Sequence, residues 1–141
     1  MKPIVSPLTP GIIHLIRLTH LPSDDLGDHI RFFTITENNQ IIGVAGLEPA
    51  GSDALLRSVA VHPDWQNRGI GKVLTDEMVA QARQSGYQSL WLLTTTAERF
   101  FLRYGFEKTD RMKAPEAIRQ TSEFKSVCPS SAACMKLDLT P

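Results

Sequence analysis

The sequence has little with which to cross-link, to cross a membrane or to hold a polyanion. Its 141 residues include two cysteines, Cys128 and Cys134, too few for a disulfide framework and without a zinc-ligand pattern. Fifteen basic residues cancel fifteen acidic ones. No global field therefore favours nucleic acid or an acidic membrane, and neither is expected as a partner. No apolar run approaches membrane-spanning length, and Met1-Lys2-Pro3 leads into folded-looking sequence without a signal segment. Internal repeats, low-complexity tracts and linkers are missing too. The expectation is one compact cytoplasmic domain over residues 1–141, with no metal.

What is there is a strand, a glycine-bearing turn and a helix start. The apolar run Ala54 to Val61 leads to Gln66-Asn67-Arg68-Gly69-Ile70-Gly71-Lys72, and an amphipathic pattern follows at once. Glycines let backbone approach an anion closely and take up positive φ. The unpaired N–H groups and dipole of a first helical turn then bind pyrophosphate. Two familiar phosphate motifs fail on inspection. A nucleotide P-loop needs an upstream glycine and Ser or Thr after the lysine, where this chain has Val73. A dinucleotide fingerprint needs a third glycine where this chain has Leu74.

The surrounding pattern predicts the elements. Ile70, Val73, Leu74, Met78 and Ala82 recur at helical spacing, and Ser85-Gly86 supplies the stop. Ser89 to Thr94 reads as a strand too continuously apolar to have a wet face. Strand, helix, strand over this length predicts a parallel pair with a right-handed crossover. Ala97 to Tyr104 is a short helix ended by Gly105. Upstream, a first helix begins near Thr9-Pro10, and Phe32–Glu37 with Gln40–Leu47 forms a hairpin turned at Asn38-Asn39. Leu21 to His29 is a loop. Downstream, Pro115 opens a short helix, and Cys134 to Leu139 is the last strand.

Gln66, Gly69 and Gly71, with Arg68, fit the Gln/Arg-x-x-Gly-x-Gly/Ala signature, and Ala97-Glu98-Arg99-Phe100-Phe101-Leu102-Arg103-Tyr104-Gly105-Phe106 matches Ala-x-x-Phe-Tyr-x-x-x-Gly-Phe. In both, the chain resembles the GNAT family of N-acetyltransferases, roughly from Gln40 to Leu139. The resemblance implies an α+β fold, a mixed central sheet with splayed parallel strands flanked by helices. It also implies acetyl-CoA as cosubstrate and a small-molecule amine as acceptor, and leaves a homodimer open. Backbone groups of Val59, Ala60 and Val61 would pair with the pantetheine arm. The Val61 N–H would polarise the acetyl carbonyl. Amides of Gln66, Asn67, Arg68, Gly69, Ile70, Gly71 and Lys72 would cradle the pyrophosphate. Thr94 falls where many relatives carry an asparagine that bonds the pantetheine.

The chemistry requires a neutral amine, hence a base, together with a donor for the oxyanion and an acid near the departing thiolate. Holding both reactants in line supplies much of the acceleration. Two positions depart from the family pattern: Phe101 stands where the catalytic tyrosine is usual, and Leu55 where a glutamate is common. Tyr104, one turn on, is the substitute acid, against a packing role for the same ring. Ser130, Ser131 or Cys128 could fold near the sulfur and line the acceptor pocket. Glu48, at a strand end, is the candidate base, against a solvated loop acid; His62 is a further candidate. Arg57 could meet an acceptor carboxylate with its bidentate fork, against an exposed strand arginine. Cys134 reads as core.

Leu92-Leu93-Thr94-Thr95-Thr96-Ala97 and Ser131-Ala132-Ala133-Cys134-Met135 resemble the acetyltransferase domain of N-acetylglutamate synthases, although the arginine of the synthase's Thr-Thr-Arg stretch is absent. The run from Ala114 to Phe124, with Cys128-Pro129-Ser130-Ser131-Ala132, resembles a small subgroup associated with bacterial arsenic-resistance gene clusters. A tight arsenite site wants about three thiols, and this chain has two. Both likenesses imply N-acetylation of a small amine, such as an amino acid or a toxic amino-acid analogue. The alternative is an acetyl-CoA-binding sensing or interaction module with little catalysis. Protein acetylation would want an acidic groove, and the sequence has no strong acidic cluster.

Overall fold

The computed structural model describes residues 1–127 and 129–140; Cys128, and with it the reading made for that residue, lies outside them. Thr9 caps α1 (Pro10–Leu18): its Oγ1 accepts the Ile12 N–H at 3.3 Å, and Pro10 fills a first-turn position where its missing N–H costs nothing. β2 (Arg31–Glu37) and β3 (Gln40–Ala50) meet at Asn38 and Asn39 with φ of 51° and 62°. That is the pair of left-handed residues a two-residue hairpin turn requires. The segment between α1 and β2 contains no helix, as its Pro, Gly and Asp content predicts.

β4 (Asp53–Val61) continues antiparallel to β3, and α2 (Ile70–Gln84) then crosses over to β5 (Ser89–Thr94), parallel to β4. α3 (Glu98–Tyr104) ends at Gly105, whose φ is 126°. α4 (Glu116–Arg119) and a π-helical turn (Glu123–Val127) precede β7 (Ala133–Asp138). Two three-residue strands, β1 (Ile4–Ser6) and β6 (Glu107–Thr109), form the sheet edges and were not anticipated. Three residues are too few to show a period. The strand order is β1-β2-β3-β4-β5-β7-β6, antiparallel except between β4 and β5.

Strand alternation assigns the two layers of helix. Phe33, Ile35, Leu47 and Leu56 pack with α2 and Phe101 of α3 on one face. Phe32, Val44 and Ala60 pack with Ile12, Leu15 and Ile16 of α1 on the other. Leu55, Trp91 and Leu93 on that second face meet Ile118 of α4 and Phe124. Cys134 is 3 % exposed, and burial pushes its thiol up to about 11, so it is an inert core residue as expected.

Candidate active site

β4 and β5 pair only at Ala54↔Leu90 and Leu55↔Trp91, and then part. The closed end is tied by side chains: Ser89 Oγ donates to Asp53 Oδ1 at 2.5 Å and accepts the Trp91 indole N–H at 2.8 Å. On the other side of β4 the register with β3 slips, from Gly46↔Arg57 to Val44↔Ala60, leaving Ser58 at φ 57° in a bulge. Because β4 has left β5, the backbone of Val59 to Val61 borders open space. A cleft of about 1150 Å³ fills the fork, walled by β4 from Leu56 to Val61 and by Leu92–Thr94. Residues from the α2–α3 face line it (the loop to α2, Phe100, Phe101), as do residues from the α1–α4 face (Thr19, His20, Glu123). The cleft therefore passes through the sheet.

On the α2 side the glycine-bearing loop is pinned at its start. Gln66 Nε2 donates to the Val61 carbonyl at 3.1 Å, and His62 Nδ1 accepts the Asp64 N–H, capping the turn Pro63–Trp65. That places His62 as a structural residue. Asn67 (φ 64°) and Gly69 (φ 82°) reverse the chain. The first helical bond runs from the Val73 N–H to the Gly69 carbonyl, so the N–H groups of Gly69, Ile70, Gly71 and Lys72 have no intrahelical acceptor. A Cβ on Gly69 would meet nothing within 4 Å, and one on Gly71 nothing nearer than Phe100 at 3.6 Å. No neighbouring protein atom demands glycine at 71. What its side chain would fill is the cleft in front of four bare N–H groups, the space a diphosphate needs. Arg68 lies over the Trp65 ring at 4.9 Å, and Lys72 pairs with Asp76 at 3.0 Å. Thr94 lines the wall, and its Oγ1 accepts the Ala97 N–H at 3.0 Å.

The expected acid and base require correction. The Tyr104 hydroxyl donates to Asp76 Oδ1 at 2.6 Å, and Tyr104 is not among the residues lining the cleft. Burial and Asp76 together raise its pKa far above the usual value, so this phenol stays protonated and tied to α2. Glu48 does not line the cleft either: it is 7 % exposed, and its Oε1 accepts from Arg57 Nη1 at 3.0 Å. Arg57 is neither an exposed strand arginine nor free to hold an acceptor carboxylate. Its side chain is fully buried, and its fork grips Asp25 in bidentate fashion at 2.5 and 2.7 Å. Ser130 and Ser131 sit exposed in the turn before β7, where Pro129 and Ala132 line the cleft instead.

The charge cluster around Arg57 was missed from sequence. Asp25 comes from the α1–β2 loop, Glu48 from β3, and Glu123 from the π-helical turn, with its Oε2 3.1 Å from Arg57 Nε. Burial alone would lower the Arg57 pKa, but the three carboxylates outweigh it and hold the guanidinium permanently charged. Burial likewise raises Asp25, and the hydrogen bond and charge of Arg57 overturn that, leaving the carboxyl below its ordinary 3.8. Asp25, His29 and Glu48 also bring metal-ligating atoms within 4.8 Å of one another, but Arg57 already supplies the positive charge between the two carboxylates.

A fork of parallel strands with an anion-ready helix start on one face defines an acyltransferase-type site, and comparison with known proteins agrees. Residues 28–108 match the Acetyltransferase (GNAT) domain, more than half of the chain. The chain belongs to the GNAT acetyltransferase family. It is 34 % identical over 125 residues to an amino-acid acetyltransferase of Escherichia coli K12, and 33 % identical to that of Salmonella typhi. Each alignment covers 82 % of this chain but only 28 % of the relative's length. Among solved structures, N-acetylglutamate synthase from Neisseria gonorrhoeae, complexed with coenzyme A and N-acetyl-glutamate, superposes with a TM-score of 0.78 at 22 % identity. It covers all of this chain and 36 % of that one. Rv2747 from Mycobacterium tuberculosis, in complex with CoA, gives 0.78 at 21 % identity, covering 98 % of this chain and 100 % of that one. These two likenesses speak to the fold. Among the described residues no helix is long and apolar enough to cross a membrane.

Gly71→Val is expected to abolish CoA binding in calorimetry while thermal unfolding falls only slightly, because the added side chain fills ligand space and its Cβ meets protein only at Phe100, at an ordinary contact distance of 3.6 Å. Asp25 supplies an acid-limb test. Its folded-state pKa is depressed, so its share of stability is complete above the unfolded value of about 4. That share is lost as pH falls through the lower folded value. Asp25→Asn should therefore flatten the acid limb of a denaturant-stability profile and cost about 1.5–3 kcal/mol at neutral pH.

Proposed function

We propose that the protein transfers an acetyl group from acetyl-CoA to the primary amine of a small amino-acid-like acceptor, directly and without an acyl-enzyme. The observation that carries this reading is the through-sheet cleft, with a diphosphate cradle on one face and the Arg57–Glu123 pair lining it on the other. Bound acetyl-CoA would supply the acetyl group activated as a thioester. Gly69, Ile70, Gly71 and Lys72 would hold its diphosphate through their N–H groups, and Val59 to Val61 its pantetheine arm through backbone pairing. The Val61 N–H is the proposed donor to the acyl oxygen as charge develops there.

The names of the relatives support an amino acid as acceptor. The finer reading, a toxic amino-acid analogue, rests on the likeness of the Ala114–Phe124 run to the arsenic-resistance subgroup. Ile118 and Phe124 within that run pack on the sheet face from which the acceptor would enter. An open peptide groove finds no support in this covered face. One observation favours a second reading, a CoA-binding module with little catalysis: no tyrosine is among the described lining residues. Phe101 stands there instead, in edge-to-face contacts with Phe100 and Phe106 at centroid distances of 5.0 and 5.4 Å.

The test is turnover with acetyl-CoA across amino acids, their toxic analogues, polyamines and lysine peptides, followed by thiol release. Acceptor-dependent release with amino-acid-like amines is the expected outcome. Tight CoA binding without turnover across the panel would establish the module instead. Phe101→Tyr is expected to raise kcat several-fold and to add an alkaline fall near the tyrosine pKa of about 10, because the natural site releases its thiolate without a dedicated acid.

A further inference from the structure

The α-amine of a free amino acid is more basic than a peptide N-terminus, whose pKa is about 8, and arrives mostly as ammonium at neutral pH, so some group must take its proton before it can attack. The ionisable side chains lining the cleft among the described residues are His20, Arg57, Lys72, Arg99, Arg103 and Glu123. Four of these are cations at neutral pH, which leaves His20 and Glu123. His20 stands exposed at the C-terminal end of α1 with φ 63°, where its N–H bonds the Arg17 carbonyl and closes the helix. Glu123 is 4 % exposed, on the covered face, against Arg57. Arg57 immediately precedes the bulge at Ser58 that leads into Val59–Val61.

We propose that Glu123 is the base that deprotonates the acceptor amine. The proposal rests on the acetyltransferase reading above and names the group which that reading leaves open. The geometry supports it: Arg57 is shared among Glu123, Asp25 and Glu48, so Glu123 does not have the guanidinium to itself. Of the three, Asp25 and Glu48 do not line the cleft, so Glu123 is the carboxylate an acceptor can reach. Among the described residues, the charged and titratable groups around it include Arg57 on β4, Asp25 and Glu48 through Arg57, His29 beside Glu48 at 3.9 Å, and His20 on the cleft rim. In the step, one ammonium proton passes to a Glu123 oxygen and later to water. The freed nitrogen lone pair forms the C–N bond at the thioester carbonyl while the C–S bond breaks and sulfur keeps its electron pair. The nitrogen's second proton balances the one the thiolate takes up.

The experiment compares Glu123→Gln, Glu123→Asp and Glu48→Gln by CoA calorimetry, thermal unfolding and pH–rate profiles with the best amine found. Glu123→Gln is expected to bind CoA like wild type and to lose about 100-fold or more in kcat/KM at pH 7. The deficit should narrow as pH rises through the amine's own pKa, where no base is needed. Glu48→Gln removes an Arg57 partner outside the cleft, so it should lower the unfolding temperature and leave the shape of the pH profile as in wild type. Should Glu123→Gln not fold, Glu123→Asp keeps the carboxylate and should show a partial loss with an acid limb like that of wild type. An active wild type whose Glu123→Gln deficit is absent, or equal at every pH, overturns this proposal alone. A wild type that binds CoA and turns over no amine overturns it together with the acetyltransferase reading.

Discussion

Two parallel strands that stop pairing after two residues are the constraint on which this molecule turns. A central sheet normally satisfies every backbone group, and an unpaired one in the interior is costly. β4 and β5 avoid that cost by opening onto a cleft in which a ligand can supply the missing partners. Several features keep the fork open without unravelling the sheet. Asp53, Ser89 and Trp91 tie its closed end. β7 pairs with β5 along its full length and replaces the lost neighbour. The bulge at Ser58 bends β4 while β3 still holds it.

Arg57 connects this opening to the rest of the protein. It lies on β4 just before the bulge, and its guanidinium gathers carboxylates from a loop, a strand and a π-helical turn far apart in sequence. Such a buried hub is weak evidence for stability, since desolvation offsets much of the attraction. Its clearer effect is positional, because three otherwise independent segments acquire one common reference point beside the cleft. One face of the cleft presents the N–H groups of a helix start, and the other presents Glu123 against Arg57.

The fold was legible where local chemistry is strong. Thr9-Pro10, Asn38-Asn39 and Gly105 marked element boundaries because capping and positive φ are decided by residues in place. The glycine-bearing loop before α2 was legible for the same reason, since Gly69 and Gly71 leave room that no neighbouring protein atom requires. β1 and β6 were not legible, because three-residue edge strands exist only by pairing with strands formed elsewhere. The roles expected of Tyr104, Glu48 and Arg57 rested on motif spacing, position at a strand end and side-chain type, none of which fixes a side chain's partner. Tyr104 is one turn beyond the usual position, which keeps it near the same side of α3 but carries the hydroxyl along the axis to where Asp76 holds it.

By itself, then, the sequence determined the longer elements, the parallel crossover and the glycine-bearing helix start, because each is set by residues near one another in the chain. Only the tertiary structure decided which carboxylates surround Arg57 and which of them reaches the cleft. Asp25 and Glu123 stand 32 residues before and 66 residues after Arg57. No periodicity or motif couples positions so distant, and their meeting is set by how loop, sheet and turn pack around one buried charge.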